Sequence, residues 1–152
     1  MKKVIAVLML LIVYAGFAFA GETAREGRFI AYENGTVLDT RTNLMWAAKD
    51  NGEDINWYDA KKYCENYRGG GYTDWRMPTI DEPAGLYNKG ESDKSNQEDD
   101  NAHLTKLIQL SDFWLWVSET RGTDAALYIY RNVNWFSKYY TFGRVLPVRS
   151  AK

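Results

Sequence analysis

The fourteen residues Gly69-Gly70-Gly71-Tyr72-Thr73-Asp74-Trp75-Arg76-Met77-Pro78-Thr79-Ile80-Asp81-Glu82 constrain this chain more than any other stretch. They join a helix end, a short strand and a helix start. Three glycines accept positive φ and release the preceding helix at Arg68. Asp74-Trp75-Arg76-Met77 alternates polar with large apolar side chains, the pattern of a half-buried strand. Pro78 ends that strand and biases Met77 toward an extended backbone. Thr79 and Glu82 have capping-box spacing. The Thr79 hydroxyl is expected to accept from the N–H of residue 82, and the Glu82 carboxylate from that of Thr79. The stretch is a joint and carries no catalytic signature.

The two helices it joins are legible on either side. Asn56 caps a helix predicted over residues 57–67. Its inner face is Trp57, Ala60, Cys64 and Tyr67, at i, i+3, i+7 and i+10. The second helix opens at Thr79 with Ile80, Ala84 and Tyr87 inward. Pro83 and Gly85 make it short or bent.

Residues 1–20 read as a signal peptide: Met1-Lys2-Lys3 is basic, residues 4–17 are apolar, and Ala18-Phe19-Ala20 is a small-x-small cleavage site. The apolar run is short for a membrane span, so no stable span is expected after cleavage. No cysteine follows it, which excludes a lipidated cysteine there. The expected localisation is periplasmic or secreted, with a flexible lead at residues 21–27 and one domain at residues 28–152. Removing residues 1–20 leaves 17 basic and 20 acidic side chains. The charge is uneven: ten basic and 17 acidic side chains over residues 21–103, seven and three over residues 104–152. A basic C-terminal third can steer anionic ligands, and uneven solvated surface explains it equally. An exported acidic domain gives no case for nucleic acid.

Further strands are expected at residues 28–32 and 36–38, around the Asn34-Gly35 hairpin signal. Others fall at residues 44–47, 113–117, 125–130 and 144–149, with Pro147 implying an edge or bulge. Residues 89–101 lack an apolar anchor and read as a mobile loop. Leu104, Leu107 and Ile108 suggest a short helical turn.

The joint resembles the central signature of the Lcl C-terminal domain family, named for the end domain of a bacterial collagen-like adhesin. Gly35-Thr36-Val37-Leu38-Asp39-Thr40-Arg41-Thr42-Asn43-Leu44-Met45-Trp46 is similar to the family's opening hairpin, and Asn56-Trp57-Tyr58-Asp59-Ala60 through Tyr63-Cys64 to its first helix. Trp116-Val117-Ser118-Glu119-Thr120 and Val148-Arg149 fit later strands. The resemblance spans residues 29–150. It implies an α+β, C-type-lectin-like fold, shared with formylglycine-generating sulfatase-modifying proteins: two helices packed on a small, twisted, mostly antiparallel sheet with long loops. It also implies core positions for Trp46, Trp57, Trp75 and Trp116. The family's helix cysteine commonly pairs with one near the C-terminus, at a place matching the surroundings of Ser150 here. Cys64 is this chain's single cysteine, so that staple is missing and Cys64 is expected as a buried apolar group. An intermolecular bridge and a reactive thiol remain the alternatives.

Catalytic chemistry finds little to use. The formylglycine-generating relatives need two cysteines. His103 is the single histidine, beside the polar loop. Carboxylates for glycoside hydrolysis are plentiful, but sequence does not place a pair. Glu91, Asp93, Glu98, Asp99 and Asp100, or Asp50, Glu53 and Asp54, offer oxygen ligands for calcium without an EF-hand pattern, and a solvated charge run explains them as well. No cofactor is expected. Glu82-Pro83 resembles part of the Glu-Pro-Asn of calcium-dependent lectins, but it sits at a helix start and Ala84 replaces the amide.

Recognition remains. Tyr128, Tyr130, Trp135, Tyr139 and Tyr140, with Arg131 and Lys138, are the candidate ligand-binding residues. If Leu127 and Ile129 face the core, alternation turns Tyr128 and Tyr130 outward. Completion of a small aromatic core explains the same rings. The expected function is an exported, adhesin-like, non-enzymatic module that binds a glycan or a surface protein. A carboxylate-based envelope hydrolase and a structural subunit of an envelope assembly are the alternatives.

Overall fold

The computed structural model describes residues 20–88, 103–129 and 132–152. The predicted signal peptide, the polar loop at residues 89–101, and Tyr130 and Arg131 lie outside the described residues, apart from Ala20 of the leader.

The domain is α+β and rich in antiparallel sheet. Strands β1 (Glu22–Glu26), β2 (Phe29–Tyr32), β3 (Thr36–Asp39), β4 (Leu44–Ala47) and β10 (Val148–Ser150) form one sheet in that spatial order. Strands β7 (Trp114–Arg121), β8 (Asp124–Ile129) and β9 (Asn132–Ser137) form a second. Between them in sequence lie helix α1 (Trp57–Asn66), the single turn α2 (Asp81–Ala84) and the small pair β5 (Tyr87–Asn88) and β6 (His103–Leu104). The expected flexible lead is instead β1, paired with β2 through Arg25 opposite Ile30 and Glu26 opposite Phe29. The Glu26 carboxylate ties it down further, accepting from the Thr105 hydroxyl (2.6 Å) and the Lys106 N–H (2.7 Å).

The three-stranded sheet is the middle layer. Leu115, Val117, Ala126 and Tyr128 pack with Phe29, Val37, Trp46 and Val148 of the five-stranded sheet. Trp116, Ala125 and Leu127, on the opposite face, pack with Ala60 and Cys64 of α1. A strand covered on both faces has no solvent side for alternation to reveal. Tyr128 is therefore 2% exposed, beside a fully buried Leu127. The outward orientation expected for it is not found.

Asn56 caps α1, its Oδ1 accepting from the Asp59 N–H (3.0 Å). The helix ends at Asn66, and Gly70 (φ 66°) and Gly71 (φ 79°) take the left-handed backbone foreseen for the joint. A Cβ on Gly70 would stand 2.8 Å from Thr36 Cγ2. Trp75 and Met77 are buried and Asp74 and Arg76 exposed, as the alternation predicts. The strand itself reduces to one bridge, reciprocal backbone bonds between Arg76 and Val148 (2.9 and 3.0 Å). Half of the capping box forms: Glu82 Oε2 accepts from the Thr79 N–H (2.8 Å), while the Glu82 N–H goes to the Thr79 carbonyl (3.3 Å). The other Glu82 contacts are a bidentate pair with Arg76 (2.7 and 2.8 Å). In α2, Pro83 rather than Ala84 faces inward. The turn expected at Leu104 to Ile108 starts as β6, and Ile108 is buried with its N–H on the Thr105 carbonyl (3.2 Å).

The last predicted strand is divided. Arg144 runs beside β7, its N–H bonded to the Trp114 carbonyl (2.7 Å) and its carbonyl to the Trp116 N–H (2.9 Å). β10 begins after Pro147 and pairs with β4. Pro147 has no N–H to give either sheet, so the chain changes sheets there.

Candidate ligand-binding face

The joint is closed chemistry. Arg149, 7% exposed, donates from Nε to Asp74 Oδ1 (2.6 Å) and lies 3.9 Å over the Tyr72 ring. The Trp75 indole N–H reaches the Gly69 carbonyl (3.1 Å), and its ring meets Tyr67 edge-on at 5.1 Å. The Arg149 guanidinium holds the Asp74 carboxyl below its ordinary range. Burial pushes the Glu82 carboxyl up, but bonds from Arg76 and the Thr79 N–H outweigh it and bring it down. A general acid needs a carboxyl held up, so these two are tuned away from that work.

The opposite situation holds around residues 136–142. Phe136 and Tyr140 stack at 4.9 Å with planes 12° apart. Phe142 lies 6.0 Å from Tyr140 and meets Trp114 edge-on at 5.1 Å, and Trp114 lies 6.3 Å from Phe136. Tyr139 leans on Tyr58 at the start of α1 (5.2 Å). The Trp57 N–H bonds the Lys138 carbonyl (3.1 Å), which fastens the helix start to this segment. Tyr139 is 75% exposed, Phe142 47%, Tyr58 45% and Tyr140 37%. Three separated parts of the chain thus contribute two ring groups, Tyr58 with Tyr139 and Trp114 with Phe136, Tyr140 and Phe142, which meet in sequence at Tyr139-Tyr140 and together are called the aromatic face.

The sheet's geometry sorts the sequence-predicted residues. Phe136 packs with the α1-side core; Val133 and Trp135 pack with the core between the sheets. Tyr128 and Trp135 therefore lie on one face of the three-stranded sheet, and the aromatic face is built on the other. Arg121 sits 4.4 Å over the Trp135 ring. Lys138 donates to the Gly122 carbonyl (2.8 Å) and lies 5.5 Å from the Trp57 ring centre. Tyr139 and Tyr140 are on the exposed face. Tyr58, Trp114, Phe136 and Phe142 join it without having been singled out from sequence. Their signal was available in part: Phe136 and Phe142 flank the tyrosines, but Tyr58 and Trp114 lie 25 or more residues before them, in α1 and β7.

Other features are already engaged. Asp50 accepts from the N–H groups of Gly52 (2.9 Å) and Ser111 (2.6 Å), and Asp54 pairs with Arg144. Among the described residues no three His, Cys, Asp or Glu side chains gather as a metal site. The calcium candidates at Glu91, Asp93, Glu98, Asp99 and Asp100 lie outside the described residues. A shallow groove of about 400 Å³ runs along α1 over Tyr63 and Tyr67. A second, of about 270 Å³, is edged by the pairs Lys61–Glu65 and Arg76–Glu82. Cys64 is fully buried and its thiol is pushed well up by burial. No described helix is long and apolar enough to cross a membrane.

The architecture defines a small α+β domain of two principal antiparallel sheets and two helices, closed at a glycine-rich joint and carrying an exposed aromatic face. The chain belongs to the Lcl C-terminal domain family, whose model matches residues 35–149. The match covers the joint, α1 and the whole three-stranded sheet, and leaves β1 and β2 before it. No curated protein matches the chain.

Proposed function

We propose that this protein is an exported, non-enzymatic, C-type-lectin-like binding module that holds a glycan or a surface protein on the aromatic face. The observation that carries this is the contrast in exposure: Tyr58, Tyr139, Tyr140 and Phe142 stay partly in water although the domain buries large rings elsewhere without difficulty. Contiguous exposed aromatic surface is costly to keep unless something binds it. Tyr and Phe supply large, stiff contact area, and Tyr adds a polar handle. Family membership supports an adhesin-like role, and the leader at residues 1–20 supports export.

The test is a glycan array probed with the protein and with the double variant Tyr139→Ala/Tyr140→Ala. Binding should fall at least about tenfold in the variant, the loss of about 1.4 kcal/mol. The melting temperature should stay nearly unchanged. Equal binding by a folded variant overturns the assignment of the face. Binding to a surface protein and to no glycan selects that ligand class instead.

A further inference from the structure

We propose that the ligand of the aromatic face is an uncharged glycan, an inference that rests on the binding-module reading above and narrows its ligand class. The first observation is that the described cations nearest the rings are already engaged. The described cations around the face are turned to other work: Lys138 to the Gly122 carbonyl and the Trp57 ring, Arg144 to Ser111 and Asp54, Arg121 to Trp135 on the other side of the sheet. Arg144 is thereby matched by a carboxylate and Arg121 lies away from the rings, so of these three described cations only the Lys138 ammonium adds net positive charge beside them. A polyanionic glycan would need more counter-charge than one ammonium to replace its lost hydration.

The second observation is what stands beside the rings. Alternation along β9 puts Asn134 on the same face as Phe136, one pleat away, and Asn134 is exposed. An amide presents two donors and an acceptor, which match the paired donor and acceptor character of sugar hydroxyls without imposing charge. The third is ring geometry. Phe136 and Tyr140 lie nearly parallel at 4.9 Å, while Trp114 and Phe142 close the platform edge-on. A pyranose offers a face of polarised C–H groups that lies flat on such rings, and a rim of hydroxyls that reach the amide and the Tyr140 hydroxyl. Apolar platforms with a few placed neutral polar groups are the common form of a small-ligand site.

The test titrates the protein with cellohexaose, mannohexaose and chitohexaose, and with hyaluronan and heparin hexasaccharides, by tryptophan fluorescence. Each titration is run at about 50 mM and about 500 mM NaCl, a range over which exposed charge attraction is screened out. We expect a neutral hexasaccharide to bind, with affinity changing less than about twofold between the two salts. Phe142→Ala and Asn134→Ala should each weaken it, by about tenfold and about threefold, and Arg121→Gln should leave it unchanged. All three positions are partly or fully exposed, so the variants fold, and melting curves check this. Binding confined to hyaluronan or heparin, falling steeply with salt, overturns the neutral ligand and leaves the binding-module reading intact. Neutral binding that survives both Phe142→Ala and Asn134→Ala overturns the site. No binding of any glycan overturns the inference, while a protein ligand lost in Tyr139→Ala/Tyr140→Ala would preserve the module.

Discussion

The joint and the aromatic face are both built on rings and differ in what the rings touch. At the joint, Tyr72 carries Arg149 on its face, and Trp75 is 3% exposed with its indole N–H bonded to a backbone carbonyl. On the aromatic face, Phe136, Tyr140 and Phe142 touch one another and Trp114, and their outer surfaces meet water. Aromatic density therefore does not separate core from site. Partners do: a ring whose polar atoms and both faces are satisfied by the domain is structure, and a ring satisfied on one side is available.

The sharpest way to break this contrast is Cys64, under α1 on the same side of the three-stranded sheet as the exposed rings. If that side is closed beneath the helix, native thiol labelling should be at least about a thousandfold slower than in denaturant, the factor global unfolding imposes. Fast native labelling would mean that the whole side is open. Trp75→Ala comes next. It should cost about 3–5 kcal/mol, read from denaturant melts, because it empties a buried site and removes the indole bond to the Gly69 carbonyl. An unchanged midpoint with lost ligand binding would move Trp75 to the site.

Acid sharpens the comparison further. The folded Asp74 and Glu82 carboxyls are held below their ordinary values, so their stabilisation is complete above the usual carboxylate range. It is lost as pH falls through their lowered folded values. Melting temperature should therefore drop on acidification. Asp74→Asn should flatten that drop and cost about 1–2 kcal/mol at neutral pH. Arg149 is then left buried without its carboxylate, though Asp74 itself is half in water. An unaltered acid slope would remove the joint's ion pair from the account. The smallest expected change is Tyr139→Ala, within about 0.5 kcal/mol of the parent in stability. A large loss there would make the aromatic face part of the core.

Some features are written in residues that sit close together in the chain. The Asn56 cap, the inward Ala60 and Cys64, the left-handed Gly70 and Gly71, and the Thr79–Glu82 bond all follow from spacings of four residues or fewer, or from a backbone that glycine alone tolerates easily. Local chemistry decides them before any distant contact forms. The resemblance of the joint likewise led to the family.

Tertiary structure decided the rest. β1 formed because Arg25 and Glu26 found β2 and Glu26 found Thr105, partners that its own polar sequence does not announce. Tyr128 went inside because β8 lies between two cores, and alternation reports a solvent face when one exists. Opposite faces of β9 separated Trp135 from Phe136 and from the Tyr140 ring stacked on it, and the docking of Trp57 on Lys138 brought Tyr58 to Tyr139. A period of two in one strand fixes which side chains share a face; only the neighbouring layers determine which face is wet.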